Sequence, residues 1–253
     1  MGDQFAPRGG GIVTPSAAGS LMVRNPLAAA GWTPASLPNL VAWYDASNAG
    51  SITASGGKVS QWSDLSGANN HFTQATGGNQ PSTGVATINS LNAIHFDGET
   101  WFMQSPLPAN PAASSYFAAM QFNSIAGTQD LISWDNNSFD GGLEWQIASG
   151  TWTLNRGNTG LIGTGTTGAD TSAHVTGITR VDGGSYAFYL DGASNGSGTQ
   201  AGTWPHTMAT RIGSGSTPKL VADVGELVIC SSVLSGADIT NLCSYLKTKW
   251  GTP

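Results

Sequence analysis

Residues 225–250 read GELVICSSVLSGADITNLCSYLKTKW and join a β-rich run to the clearest helix signal of the chain. Ser235 suits the N-cap because its hydroxyl can accept a backbone N–H of the first turn, and Asp238 completes a capping-box pair. Leu234 and Ile239 occupy the two positions of a hydrophobic staple. The apolar residues recur at helical spacing, at Ile239, Leu242, Cys243, Leu246 and Trp250. The stretch predicts a strand, a tight corner and an amphipathic helix that must pack on a sheet.

The rest of the chain is patterned for β-structure. Short apolar or alternating runs are separated by turns rich in Gly, of which the chain has 35. Residues 174–180 and 185–190 predict a hairpin across Asp182-Gly183-Gly184. About a dozen such strands indicate an all-β fold, an antiparallel two-sheet sandwich with one short C-terminal helix.

Several pieces of the sequence also carry a family resemblance. They are NLVAWYDAS at 39–47, WSDLSG at 62–67, IHFDG at 94–98, YLDG at 189–192 and the C-terminal stretch itself. In this order they resemble a laminin-G-like, or concanavalin A-like, jelly-roll domain over residues 32–253. The version resembled is common in bacterial and bacteriophage structural proteins. The resemblance implies a jelly-roll sandwich and says little about the ligand.

Composition narrows the range of partners. Only 9% of the residues are charged and the net charge is −6, without a cluster of Lys or Arg. We therefore expect no nucleic-acid partner. No stretch approaches the roughly 20 apolar residues of a membrane span, and the N-terminus lacks the layout of a secretion signal. We expect neither membrane insertion nor export.

Residues 1–31 differ from the rest and predict an extended arm. They are rich in Gly and Pro, show no periodicity and are expected to be disordered when free. Two short apolar patches would anchor the arm to a partner, and their residues are Ile12, Val13, Leu21, Met22 and Val23. We interpret the segment as an assembly or docking arm; the alternative is that it wraps its own domain.

The sequence supplies no catalytic set. Laminarinase-type hydrolases of the resembled fold use two carboxylates in a Glu-x-Asp-x-x-Glu type run, and none occurs here. Glu144, beside Trp145, is the only glutamate that could face a groove, and the alternative is a solvent-facing strand residue. No nucleophile elbow or phosphate loop appears, and the four His have no zinc-ligand spacing. We therefore expect no enzymatic activity.

The sequence is compatible with a calcium site or with none, and with a disulfide or with two free thiols. The resemblance implies that calcium could bind at a sheet rim, and the loop-edge candidates are Asp64, Asp97, Asp135 and Asp140. Asp at a turn more often caps its own backbone, so no cofactor is required. Cys230 and Cys243 could form a disulfide, but two buried thiols are favoured because the chain has no other Cys.

A sugar site needs an aromatic face and polar side chains for the hydroxyls. The loop after Trp134 and the following strand offer both, in Trp134, Asp135, Asn136, Asn137, Asp140 and Trp145. Trp204-Pro205-His206 is a second such cluster. The alternative is that the Trp residues belong to the core and the polar residues form turns.

Three functions remain. The first is a structural protein of a bacteriophage virion, on its head or tail, which the resemblance implies. It would dock through the arm on other virion proteins and copies of itself, and its jelly roll could touch host-surface glycans. The second is a free lectin-like carbohydrate-binding protein. The third is a glycoside hydrolase using Glu144.

Overall fold

A computed structural model describes residues 31–98, 101–108, 112–134, 142–156, 160–202, 209–213 and 220–253. The predicted arm, with its anchors Ile12, Val13, Leu21, Met22 and Val23, lies outside these residues. The described part is mostly β-structure with one C-terminal α-helix, as the sequence predicts. None of its helices is long and apolar enough to cross a membrane.

In the described part of the chain, seventeen strands precede a single α-helix, α1, at Gly236–Trp250. In chain order the strands are β1 Leu40–Asp45, β2 Ile52–Ser55, β3 Lys58–Trp62, β4 Phe72–Thr73, β5 Ser82–Ile88, β6 Leu91–Asp97, β7 Met103–Pro108, β8 Ala113–Phe122, β9 Thr128–Ser133, β10 Leu143–Ala148, β11 Thr151–Arg156, β12 Gly160–Thr164, β13 Ala173–Val181, β14 Ser185–Leu190, β15 Ala193–Thr199, β16 Ala209–Ile212 and β17 Val221–Cys230. The predicted hairpin is confirmed as β13 and β14.

The strands pair in two runs, and every pair found in the described residues is antiparallel. The helix-side run has the order β5-β6-β17-β8-β13-β14-β15, and β1 pairs with the C-terminal half of β17. The belt-side run has the order β2-β3-β4-β7-β16-β9-β10-β11-β12. The sequence predicts two separate sheets, but a pair between Lys58 and Ser82 makes the ladder continuous. At the far end Thr166 N–H donates to the Asn195 carbonyl, so the sheet nearly closes.

Strand β8 shows how one strand serves two cores. Tyr116, Ala118 and Met120 point into the main core, which contains side chains from both runs. Phe117 and Ala119 point the other way, into a second cluster formed with α1. Strand residues alternate between faces, so a strand that is apolar on both is buried on both. The helix therefore covers the outer face of the helix-side run. It does not cover the outer face of the belt-side run.

The C-terminal helix ends as the sequence predicts. The Ser235 hydroxyl accepts the Asp238 N–H at 3.2 Å, and Gly251 takes the left-handed conformation at φ 65°. Cys230 and Cys243 are both free and buried, as the favoured interpretation had it. Burial raises the pKa of each thiol to about 12, which keeps both protonated and unreactive.

Gly225 sits at an irregularity in β17, between Val224 and Glu226. The extra residue reverses the alternation, so that Val224 and Leu227 both face the main core. The Trp250 ring packs directly on Gly225, because a Cβ there would lie 2.6 Å from a ring carbon. Only glycine gives the helix this close approach to the strand.

Replacing Gly225 with Ala should therefore destabilise the fold. The added methyl group overpacks the contact with Trp250, and we expect a loss of about 1–3 kcal/mol of unfolding free energy. Gly236→Ala is the matched control, because a Cβ there meets nothing within 4 Å. Urea unfolding of both variants checks this, and equal stability for Gly225→Ala and wild type would contradict the packing argument.

His174 on β13 lies between two carboxylates. Its Nδ1 is 2.7 Å from Asp191 Oδ2 and its Nε2 is 3.1 Å from Asp170 Oδ1. Burial by itself would lower the pKa of His174, but the two acidic neighbours outweigh it and raise the pKa above the ordinary 6.5. The folded protein therefore holds this proton more tightly than the unfolded chain does.

The stability of the protein should depend on pH through this residue. The contribution of protonated His174 is fully present below the unfolded pKa of 6.5 and is lost as pH rises through the higher folded pKa. His174→Gln should remove the corresponding pH dependence of the unfolding free energy, measured by urea unfolding at pH values from below 6.5 upwards. His95→Gln is the control, because it leaves His174 and its two carboxylate partners intact and should keep this pH dependence. If His174→Gln leaves the pH dependence of the unfolding free energy unchanged, its assignment to His174 is refuted.

Candidate functional site

A row of polar side chains crosses the outer face of the belt-side run. Cross-strand pairs connect its members one strand at a time. We call this row the polar belt, and it consists of Gln61, Thr73, Gln104, Arg211, Ser133, Glu144 and Asn155. The residues next to them along each strand, such as Trp62, Phe72, Met103, Trp145 and Leu154, belong to the main core. The belt therefore faces away from the core.

Arg211 organises the middle of the belt. Its Nε approaches Gln104 Oε1 at 3.4 Å, and its guanidinium lies 5.5 Å from the centre of the Phe102 ring. Phe102 is half-buried. Because a guanidinium can only donate, the amide oxygen of Gln104 faces Arg211, and the amide NH₂ is turned away from it. The centre of the belt thus combines a cation, an oriented amide and an aromatic ring.

A cleft of about 390 Å³ opens beside the belt, where β4 meets β7. We call it the β4–β7 cleft, and its described lining is Asn69, His71, Thr73, Gln104, Ser105 and Pro106. Thr73 and Gln104 belong to both the cleft and the belt. A ligand lying along the belt could therefore place one group in the cleft.

The loop before β4 fixes the ring of His71. The Asp64 backbone N–H donates to His71 Nδ1 at 3.0 Å. A backbone N–H can only donate, so Nδ1 is the unprotonated nitrogen and the neutral ring carries its proton on Nε2. Within the described residues that Nε2–H has no protein acceptor. His71 thus presents a donor of fixed identity at the cleft.

Beyond Arg211 the belt is closed to solvent at Ser133 and Glu144, whereas Asn155 at its far end is half-buried. Ser133 and Glu144 are only 1% and 9% exposed. Glu144 is therefore buried rather than solvent-facing, contrary to the alternative drawn from the sequence. Asp130, 1% exposed, lies diagonally across from Glu144, because it pairs with Gln146 on the same face. The accessible half of the belt runs from Gln61 to Arg211.

Trp134 and Trp145, predicted as a sugar platform, are packed in the main core. They are 2% and 0% exposed. The Trp134 ring packs edge-on against Tyr116, and its Nε1–H donates to Thr210 Oγ1 at 2.8 Å. Their indole faces therefore contact protein and are not available to a sugar. Asp135, Asn136, Asn137 and Asp140 of the same predicted site lie outside the described residues, as do Trp204, Pro205 and His206.

Asp64, a predicted calcium candidate, is committed to its own loop. Its two carboxylate oxygens accept from the backbone N–H groups of Trp43, Ser66 and Asn70 and from the Ser66 hydroxyl, at 2.8–3.0 Å. The described residues contain no group of three or more His, Cys, Asp or Glu side chains arranged to hold a metal ion. Asp135 and Asp140 fall outside that set.

By sequence, no family model and no curated protein matches the chain. Solved structures do match. Domain 4 of AbnA, an extracellular GH43 arabinanase of Geobacillus stearothermophilus in complex with arabinotriose, has a TM-score of 0.62 at 16% identity. That match covers 82% of this chain and 99% of the domain.

Two further matches are to parts of larger chains. The ligand-binding domain of botulinum neurotoxin serotype D in complex with N-acetylneuraminic acid has a TM-score of 0.59 at 15% identity. Trypanosoma rangeli sialidase in complex with the inhibitor DANA has a TM-score of 0.58 at 15% identity. Each match covers 85% of this chain but only 54% and 34% of the other chain, respectively. At such identities the likeness is one of fold.

Proposed function

We propose that this domain binds carbohydrate on the accessible half of the polar belt. The observation that carries the proposal is the register of Gln61, Thr73, Gln104 and Arg211, which stand side by side on four neighbouring strands. Strands are spaced about 4.8 Å apart, so these positions span about 14 Å. Amides, a hydroxyl and a guanidinium along such a line can bond successive hydroxyl groups of an oligosaccharide.

The fold likeness supports the same proposal. The arabinanase domain was solved with arabinotriose and the toxin domain with N-acetylneuraminic acid. By analogy with these two domains we propose glycan binding for this chain, but we do not transfer the positions of their binding sites. We also interpret the two strand runs as the two layers of a lectin-like jelly-roll sandwich, with the ligand on the outer face of one layer.

We propose binding rather than hydrolysis. Asp130 and Glu144 share a face, as paired glycosidase carboxylates do. Both are buried, at 1% and 9% exposure, and lie on β9 and β10, beyond the accessible half of the belt. A substrate on the accessible half would not reach them, and calcium is not needed for hydrogen bonds of the kind proposed.

Removing belt side chains should weaken glycan binding without unfolding the protein. Gln104→Ala and Arg211→Ala should each reduce affinity about fivefold or more, because a hydrogen bond from a charged or well-oriented donor contributes about 1–3 kcal/mol. Glycan arrays followed by calorimetry measure this. Gln121→Ala is the control, since Gln121 lies on the helix-side run and donates to the Thr171 carbonyl. Absence of any glycan ligand, or wild-type affinity in both belt variants, would contradict the proposal.

The wider setting we propose is display on a bacteriophage virion, on its head or tail. This rests on the sequence resemblance and on the composition of residues 1–31. The arm would hold the domain on neighbouring virion proteins or copies of itself, with the belt facing host-surface glycans.

Charging the arm should abolish its docking. Ile12→Asp combined with Leu21→Asp should prevent self-association, because a carboxylate cannot be buried in an apolar contact without a partner. Light scattering of the full-length protein measures its mass. The control is Ala17→Asp with Ala18→Asp, which adds the same charge away from the apolar patches. Identical masses for the wild type and both variants would refute self-assembly through these anchors.

A further inference from the structure

The β4–β7 cleft presents hydrogen-bond donors. His71 contributes an Nε2–H whose identity is fixed by the bond that Nδ1 accepts from Asp64 N–H. Gln104 contributes its amide NH₂, because its oxygen faces the Arg211 guanidinium. Both side chains line the cleft. One donor therefore lies in the loop just before β4 and the other on the adjacent strand β7, and both residues line the same opening.

Several acceptors close to the cleft already have donors within the protein. The Asn70 carbonyl accepts from the Tyr44 hydroxyl and, at 2.8 Å, from the Ser105 hydroxyl. The Asp64 carboxylate is bound by its own loop, as described above. The Thr73 hydroxyl approaches the Gln104 carbonyl at 3.4 Å. The Asn70 and Asp64 acceptors are therefore occupied, whereas His71 Nε2–H and the Gln104 NH₂ group are left for a ligand.

The charge around the cleft has the same bias. No Asp or Glu occurs among its described lining residues. A cation stands beside the cleft, because Arg211 is paired in register with the lining residue Gln104. In a protein with a net charge of −6, this local excess of donors beside a guanidinium favours an acceptor-rich group. Hydroxyl groups of a neutral sugar both donate and accept, whereas a carboxylate or sulfate only accepts.

We propose that the β4–β7 cleft binds the anionic group of an acidic glycan. The group is a carboxylate of a sugar acid or a sulfate ester, since both present oxygens that accept from His71 Nε2–H and the Gln104 NH₂ group. This inference rests on the proposed carbohydrate binding and names the class of glycan. His71 and Gln104 determine specificity, and the rest of the belt holds the neighbouring sugar residues.

Calorimetry on the full-length protein tests the proposal with three probes. They are a uronic-acid oligosaccharide, its carboxyl-reduced neutral counterpart, and a sulfated oligosaccharide of neutral sugars. We expect at least one acidic probe to bind about tenfold or more tightly than the neutral one, with affinity falling as salt is raised. Whichever acidic probe binds more tightly identifies the anionic group.

Two variants separate the cleft from general charge effects. Gln104→Glu keeps an oxygen towards Arg211 but replaces the amide donor with a second carboxylate oxygen, and should weaken the acidic probes about tenfold or more beyond any loss it causes for the neutral one. His71→Asn keeps an acceptor for Asp64 N–H, because its amide oxygen can replace Nδ1, and removes the distal donor. It should have the same selective effect. Gln121→Glu, with the same charge change on the other run, should leave binding unchanged.

The outcomes are distinguishable. If no probe or other glycan binds, both the proposed function and this inference fail. If neutral and acidic probes bind alike, or if Gln104→Glu and His71→Asn leave acidic binding intact, carbohydrate binding stands and the acidic class is refuted. An equal loss in Gln121→Glu would trace the preference to net charge and would also overturn the inference.

Discussion

The buried carboxylate of Glu226 joins the three elements on which the rest of the fold is built. It accepts from Trp43 Nε1 on β1 at 2.7 Å, and from Trp250 Nε1 and Lys249 Nζ at the end of α1 at 2.8 and 2.7 Å. The side chain has no exposed surface, so each of these donors offsets the cost of burying a charge. Burial raises the pKa of Glu226, and Lys249 opposes that rise. The position of the C-terminal end of α1 therefore depends on a glutamate at position 226 of β17.

The same region explains why the belt faces outwards. The irregularity at Gly225 reverses the alternation of β17, so Leu227 enters the main core while Glu226 and Val228 face the helix. Strand β17 pairs with β1, β6 and β8, and so sets the position of the main core. The belt-side run contributes Trp62, Phe72 and Trp145 to that core. Its polar residues are thereby left on the opposite face.

Local signals in the sequence predict the local structure well, and the site poorly. The caps of α1 and the alternation of residues 185–190 are short-range patterns, and both elements form as predicted. The belt depends on register between strands far apart in sequence. Strands β4, with two residues, and β7, which contains two prolines, carry almost no strand signal. The predicted sugar site overlooked one available signal. In LEWQI at 143–147 the apolar residues alternate, which places Trp145 on the same face as Leu143 and Ile147, and all three lie in the main core.

The proposal of a glycan rather than another polymer rests on the composition of the accessible belt. A nucleic-acid surface needs several cations, and a stable protein interface needs a large apolar centre. The belt from Gln61 to Arg211 has one cation, two amides and a hydroxyl, with the Phe102 ring beside them. Oriented amides distinguish ligands by where they donate and accept. The bond from Arg211 to Gln104 and the bond from Asp64 to His71 set those directions before any ligand arrives, which lowers the entropic cost of binding.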